Sequence, residues 1–295
     1  MRITPQMIVD STLSHIETNQ NRIEQLQNQI TSGSRIAKPS DDPIGVARAL
    51  NLQDSIAQSE QYQRNIDQAT SWLNTTDSAM QSVSDAMNRA RELAMQAAND
   101  TLGAPDRAAI QAEITQLQQH VLDLAHAKYG AYYLFAGTRS DQPGYVQAAD
   151  STTTPGAYQG NNAQILRELA PGTTMGVNAD AQLTFDPVFK AMSTLQLGLT
   201  ANNSTAIRSS LAEFDTALDA VNAQRAGIGA KTNRLEFLKS RQSEINVNLT
   251  GLLSEVKDVD MAAAITNFAM AQNVYQASLK AGAQAIQPSL LDYLR

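Results

Sequence analysis

Near its start and again near its end, the chain carries apolar residues at alternating intervals of three and four. This spacing puts one apolar stripe along a helix and is typical of a seam packed against a second helix. The first stripe comprises Val9, Ile16, Ile23, Leu26 and Ile30. The second comprises Met261, Ile265, Phe268, Tyr275, Leu279 and Ile286. We therefore predict that the two ends of the chain form helices that pair with each other.

The same period continues after a joint rich in proline and aspartate. A seven-residue series runs from Leu52 to Ala94, and it predicts one very long helix that begins near Pro43. A second apolar period predicts a helix from Pro105 to about Gly137. Helices far longer than the average of about 11–12 residues need the support of a bundle or coiled coil.

Glycine and proline become frequent between residues 137 and 186, where short apolar runs alternate with turn residues. The candidate strands are Gly144–Gln147, Ala157–Gln159, Gln164–Leu169, Met175–Asn178 and Gln182–Phe185. This pattern predicts a small β-rich domain that stands apart from the helices. The helical period returns at Pro187, and we expect Gly227 and Gly229 to break or turn the long helix that follows.

These patterns together predict a mainly α fold in which both chain ends build a rod of long helices around a β-rich insertion. Residues 1–40 with 258–295 are expected to form a terminal coiled-coil domain. Residues 41–137 with 187–257 are expected to form a helical rod domain, and residues 138–186 the inserted outer domain.

The last predicted helix is poor in charge, since Lys280 is the only charged residue between Met261 and Leu291. A helix that touches one neighbour in water keeps a charged outer face. Its frequent Asn and Gln residues argue against a membrane span, so we expect other copies of the chain to cover it. The two stripes then form an assembly interface. The alternative is a central helix buried within a monomer.

Composition excludes several classes of function. A formal net charge of −7 disfavours nucleic acid as a partner, and the absence of cysteine excludes disulfides and thiolate chemistry. No motif for phosphate binding or zinc hydrolysis occurs, so we expect no enzyme activity, no cofactor and no metal site. The carboxylate pairs Asp41–Asp42 and Asp258–Asp260 are interpreted as helix caps and joints. The first residues lack the apolar run of a signal peptide.

Four segments resemble the conserved ends of bacterial flagellins. Leu26–Ile36 (LQNQITSGSRI) and Ser40–Ala47 (SDDPIGVA) are similar to the family's N-terminal segment. Arg225–Leu235 (RAGIGAKTNRL) and Asp258–Ala262 (DVDMA) are similar to its C-terminal segment. The resemblance covers roughly residues 1–137 and 203–295. It implies a coiled coil of both termini, a helical rod and outer domains made by the central region.

Within this family, three features resemble the members that join the flagellar hook to the filament. They are Asp41-Asp42-Pro43, the run Tyr133–Asp141 (YLFAGTRSD) and the ending Ser289–Arg295 (SLLDYLR). The resemblance implies an extracellular structural adaptor, exported by the flagellar type III route without a cleaved signal. Its implied partners are other copies of itself in a ring, an adjacent hook-associated protein, flagellin, and a cytosolic export chaperone on the C-terminal helix. The alternatives are a filament flagellin or another secreted coiled-coil protein.

Overall fold

The computed structural model describes residues 5–36, 38–146 and 156–286, and these form a mainly α fold, as the sequence predicts. The helices are α1 (Pro5–Ser32), α2 (Pro43–Ala97), α3 (Ala104–Ala125), α4 (Ala181–Thr200), α5 (Ser204–Lys257) and α6 (Met261–Ile286). The strands are β1 (Lys128–Tyr129), β2 (Tyr132–Tyr133), β3 (Leu166–Ala170) and β4 (Thr173–Gly176). They form two antiparallel two-stranded sheets, β1–β2 and β3–β4.

Polar side chains set the points at which several helices begin. The Asp42 carboxylate accepts a hydrogen bond of 2.8 Å from the Gly45 amide at the start of α2. Asp260 caps α6 in the same way by accepting from the amides of residues 262 and 263. The predicted capping role of both carboxylates is confirmed. Asp180 caps α4, which therefore begins at Ala181, before the predicted start.

The chain divides into two compact units, which we describe separately. One contains residues 1–58 with 245–295, and the other contains residues 59–244. The first unit holds α1, α6, the start of α2 and the end of α5, while the second holds the remaining elements. The further division into terminal, rod and inserted domains stays a prediction.

The core of the second unit lies along the predicted seven-residue series of α2. Ile66, Leu73, Met80 and Met87 are fully buried there. Helix α5 runs antiparallel to α2, since partners that come later in α2 come earlier in α5. The side-chain pairs that show this register are Lys239–Asp67, Arg225–Asp77 and Arg91–Asp215, and Arg208 of α5 continues it by pairing with Asp100 in the turn after α2. The antiparallel pair is thus fixed by apolar burial and bordered by cross-helix ion pairs.

Helix α5 is continuous over 54 residues, so the prediction that Gly227 and Gly229 break or turn it is wrong. Each helical glycine costs about 1 kcal/mol relative to alanine. The buried residues Val221, Ile228 and Leu235 on the same helix offset that cost because they pack into the core on both sides of the glycines.

The inserted segment differs from its prediction in two respects. Residues 144–146 and 157–159 form no strand, and residues 182–185 belong to α4. Helix α3 ends at Ala125, well before Gly137, because the chain turns into the β1–β2 hairpin.

The segment also contributes side chains to the core of the second unit. Tyr145, Leu169 and Phe185 are at most 2% exposed. The Tyr145 hydroxyl donates a 2.6 Å hydrogen bond to Asp186. Burial, followed by this carboxylate, raises the pKa of Tyr145 well above its ordinary value, so the hydroxyl remains a donor. Removing the segment would therefore remove part of the core.

Gln118 of α3 is an exception to the apolar core, and its replacement is expected to stabilise the protein. Its side chain is fully buried, and neither Nε2 nor Oε1 has a hydrogen-bond partner among the described residues. An unsatisfied buried polar group costs about 1–3 kcal/mol. Gln118→Met, which keeps the shape but removes both polar atoms, should raise the free energy of unfolding by about 1 kcal/mol. Urea denaturation measures this, with the exposed Gln116→Met as control; a loss of stability in Gln118→Met alone would contradict it.

Candidate assembly interface

Helices α1 and α6 lie antiparallel against each other in the first unit, which confirms that the two ends pair. The Asn19 side-chain amide donates a 3.2 Å hydrogen bond to the Ser278 hydroxyl. A Cβ on Gly282 would lie 3.1 Å from the Thr12 methyl, so the helix backbones approach closely there. The contact therefore runs along most of both helices.

The face of α1 that meets α6 carries medium-sized and large residues at spacings of four and three. These half-buried residues are Thr12, Ile16, Asn19, Ile23, Leu26 and Ile30. The opposing face of α6 has the same spacing but smaller side chains. It comprises Ala264, Phe268, Ala271, Tyr275, Ser278 and Gly282. Ala264, Ala271 and Gly282 are the buried members, so α6 offers a shallow surface into which the isoleucines of α1 fit.

The structure separates the predicted interface residues into two groups. Ile16, Ile23, Leu26, Ile30, Phe268 and Tyr275 lie half-buried in the α1–α6 contact. Val9, Met261, Ile265 and Leu279 are exposed, between 37% and 53%. The side chain of Ile286 lies outside the described residues. The sequence interpretation missed Ala264, Ala271 and Ser278, whose only signal is their four-three spacing, whereas it placed Gly282 in a gap of the predicted stripe. That the predicted residues form an interface between subunits stays a prediction.

The exposed surface of α6, on both sides of its contact with α1, carries large apolar residues and is nearly free of charge. We call it the outer face of α6, and its large exposed residues are Met261, Ile265, Met270, Val274 and Leu279. Among the described residues of this helix only Lys280 is charged. Isolated exposed apolar residues are ordinary, but several on one helix with almost no charge mark an interaction surface.

A joint connects the two helical ends of the first unit through backbone hydrogen bonds. The Arg35 amide donates to the Lys257 carbonyl at 2.7 Å, and the Val259 amide donates to the Gly33 carbonyl at 3.0 Å. Gly33 has a φ of +66°, which suits glycine at the end of α1. The Arg35 guanidinium donates to the Val256 carbonyl and to Asp42. The segment after α1 is thereby tied to the segment before α6.

The Asp42 carboxyl is expected to make this joint sensitive to acid. The hydrogen bond from Gly45, together with the Arg35 guanidinium, lowers the pKa of Asp42 below its ordinary value of 3.8. A lowered pKa in the folded state contributes stability above the ordinary value, and this stability is lost as the pH falls through the folded pKa. In an NMR titration the Gly45 amide shift should have a midpoint below 3.8, and Arg35→Gln should move that midpoint upward. A wild-type midpoint at or above 3.8 would show that the joint does not hold the carboxylate.

No feature of the described residues adds a chemical site to this surface. They contain no group of three side chains suited to hold a metal ion. Within the same part of the chain, no helix is long and apolar enough to cross a membrane. The arrangement of α1, α6 and the joint is suited to packing against another protein surface.

Comparison with known proteins gives matches at both ends of the chain. The family model described as bacterial flagellin N-terminal helical region matches residues 3–140, and that described as bacterial flagellin C-terminal helical region matches residues 211–294. The flagellar hook-associated protein 3 of Escherichia coli (strain K12) is 28% identical, over 95% of this chain and 96% of its own. A flagellar filament 30.7 kDa core protein of Treponema maltophilum is 27% identical, over 95% and 96%.

A solved structure extends this likeness to the fold. The crystal structure of Bacillus cereus FlgL is 26% identical, with a TM-score of 0.58, over 69% of this chain and 99% of that one. The two family models together match well over half of the chain, and they match it at the ends that build the α1–α6 pair and the joint. The chain therefore belongs to the bacterial flagellin family.

Proposed function

We propose that this protein is a structural adaptor of the bacterial flagellum that joins the hook to the filament. Its similarity to the hook-associated protein 3 of Escherichia coli, over nearly the full length of both chains, supports this role. The observation that carries the proposal is the outer face of α6, which leaves apolar residues without cover in a single chain. A subunit that works by assembly needs such a face, because burial of apolar area drives most association between proteins.

The assembly interface comprises the outer face of α6 together with the exposed part of α1. Val9 is 37% and Leu13 57% exposed on α1, so the paired helices keep apolar surface on both members. Other copies of the chain in a ring cover this surface within the junction. On either side, the ring contacts an adjacent hook-associated protein and flagellin. The α1–α6 contact itself holds the two helices in one orientation for assembly.

Because the same surface is apolar, we propose that the subunit is protected before assembly. In the cytosol an export chaperone covers the C-terminal helix and prevents premature association of its apolar residues. The chain then leaves by the flagellar type III route without a cleaved signal and acts outside the cell. The role is structural, and no enzyme activity or cofactor is part of the proposal.

A strain that lacks this protein tests the proposal directly. Such a strain should export flagellin into the medium, complete its hooks, and carry no filaments. Expression of the full chain in that strain should restore filaments and swimming. Normal filaments in the deletion strain would overturn the proposal.

A filament subunit is the second candidate, since the Treponema maltophilum filament protein is almost equally similar. The two roles differ in copy number and place. An adaptor is present in a small, fixed amount at the hook end of each flagellum, whereas a filament subunit is the main protein along its length. Quantitative mass spectrometry of sheared filaments and of the hook ends that remain distinguishes them.

A further inference from the structure

The second unit contains a small aromatic pocket, and none of its lining residues belongs to the terminal helices. It has a volume of about 220 Å³ and is lined by Gln68, Ala69, Trp72, Tyr129, Tyr132, Arg167 and Val177. Three elements supply these residues: α2, the β1–β2 hairpin, and β3 with the residue that follows β4. Ala69 and Val177 are each 1% exposed and form an apolar floor.

The walls of the pocket are aromatic rings. The Trp72 and Tyr129 rings lie with their centroids 5.7 Å apart and are tilted by 58°. Trp72 is 6% exposed, and its Nε1 is buried without a hydrogen-bond acceptor among the described residues, so the pocket presents ring surface rather than a donor. Tyr132 is 56% exposed and forms the outer wall. Such walls favour an apolar or aromatic group.

The size of the pocket limits what it can take. Pockets for whole small-molecule ligands have volumes of about 300–1,000 Å³. The volume here is below that range and suits a single apolar side chain. Binding between proteins commonly depends on one such side chain filling a pocket on the partner. The size therefore favours a peptide segment over a free cofactor or metabolite.

Arg167 is the only charged residue among those that line the pocket, and its positive charge favours a peptide segment that carries a negative charge. Its exposed guanidinium makes no ion pair or hydrogen bond with any described residue, whereas eight other Arg and Lys side chains in the described part of the chain form ion pairs. On a chain with a formal net charge of −7, this unpaired cation is a local positive site. A guanidinium binds carboxylates through paired hydrogen bonds.

We propose that this pocket binds an acidic peptide segment of another protein. One apolar side chain of the segment inserts between Trp72, Tyr129 and Tyr132, and a neighbouring carboxylate binds Arg167. The site lies in the second unit and does not depend on the terminal helices, so it is a contact additional to the assembly interface.

Trp72 is the only tryptophan of the chain, so its fluorescence reports on this pocket alone. The full-length protein is titrated with the probe acetyl-Glu-Phe-Glu-amide and with its neutral counterpart acetyl-Gln-Phe-Gln-amide. The acidic peptide should change Trp72 emission in a saturable way and bind about tenfold more tightly than the neutral one, the difference expected for one charge-assisted contact. Added salt should reduce this preference.

Two variants with the same change of charge separate the pocket from general electrostatic attraction. Arg167→Gln should abolish the preference for the acidic peptide. Arg64→Gln, an exposed arginine of α2 outside the pocket lining, should leave it unchanged. Circular dichroism confirms that both variants are folded. Absence of a saturable change with either peptide, equal binding of the two, or equal effects of the two variants would overturn the proposal.

Discussion

Ile265→Asp is expected to abolish attachment of filaments while leaving the isolated protein stable. Ile265 is 53% exposed on α6, so an aspartate there remains in water in the single chain. The free energy of unfolding should therefore change by no more than about 0.5 kcal/mol.

In the assembled junction the same carboxylate would be buried against a neighbouring subunit. An unpaired buried charge costs several kcal/mol, and each 1.4 kcal/mol weakens an association about tenfold. We expect filament-bearing cells and swimming to be lost almost completely. Electron microscopy of cells and urea denaturation of the purified variant give the two measurements.

Thr266→Asp is the matched control, because it adds the same charge at an exposed polar position in the same turn of α6. It should support filaments far better than Ile265→Asp. Secretion of both variants into the medium must be equal, so that a defect in export is not mistaken for a defect in assembly. If Ile265→Asp unfolds the isolated protein, the residue belongs to the core of the single chain and the interpretation of the outer face is wrong.

Gly137→Ala is expected to destabilise the second unit strongly. Gly137 has a φ of +64°, and a Cβ there would overlap the backbone carbonyl of Asn161. That carbonyl accepts a hydrogen bond from the Tyr158 hydroxyl, and the Asn161 side chain accepts one from the Thr138 amide. The neighbour therefore cannot move away without breaking these bonds, and the loss in free energy of unfolding should exceed about 4 kcal/mol.

Gly130→Ala provides the comparison that isolates this steric effect. Gly130 has a similar φ of +61°, but nothing lies within 4 Å of the position where its Cβ would be. Gly130→Ala should therefore lower the free energy of unfolding by only about 1–2 kcal/mol, which is the cost of a non-glycine residue in the left-handed conformation. Urea denaturation of both variants measures the difference. Equal losses would show that the close contact with Asn161 has no energetic consequence.

The sequence was sufficient where large apolar residues carry the pattern. The seven-residue series of α2 marks the side that is buried, from Ile66 through Leu73 to Met87. The isoleucines of α1 mark the face that meets α6. In both helices the buried contacts are made by large apolar side chains, so the spacing of these residues in the sequence shows which face of the helix is packed.

The sequence was misleading where small residues form the contact. Ala264, Ala271 and Gly282 are the buried residues of α6, but in a helix rich in alanine they do not stand out from their neighbours. The larger Ile265 and Leu279 give the stronger signal, and they are exposed. A pattern of apolar residues therefore cannot separate a contact within one chain from a surface that other chains cover.

The inserted segment shows a second limit, since its structure depends on contacts that are distant in the sequence. Phe135 and Phe185 pack with their ring centroids 4.9 Å apart, although 50 positions separate them in the numbering. The frequent turn residues between 137 and 186 predict short strands and give no sign of this ring contact. Packing against distant residues therefore helps to set the structure of the segment, because packing overrides local preference.

In the assembled flagellum, we expect other subunits to cover the outer face of α6. The chain contains no cysteine, so a single introduced thiol is its only one. The most direct test compares the maleimide reactivity of Ile265→Cys in the purified protein and in isolated flagella, with Thr174→Cys, exposed on β4, as the reference position. We expect Ile265→Cys to react freely in the purified protein and at least about tenfold more slowly, relative to Thr174→Cys, in flagella. Equal relative reactivity in the two states would contradict it.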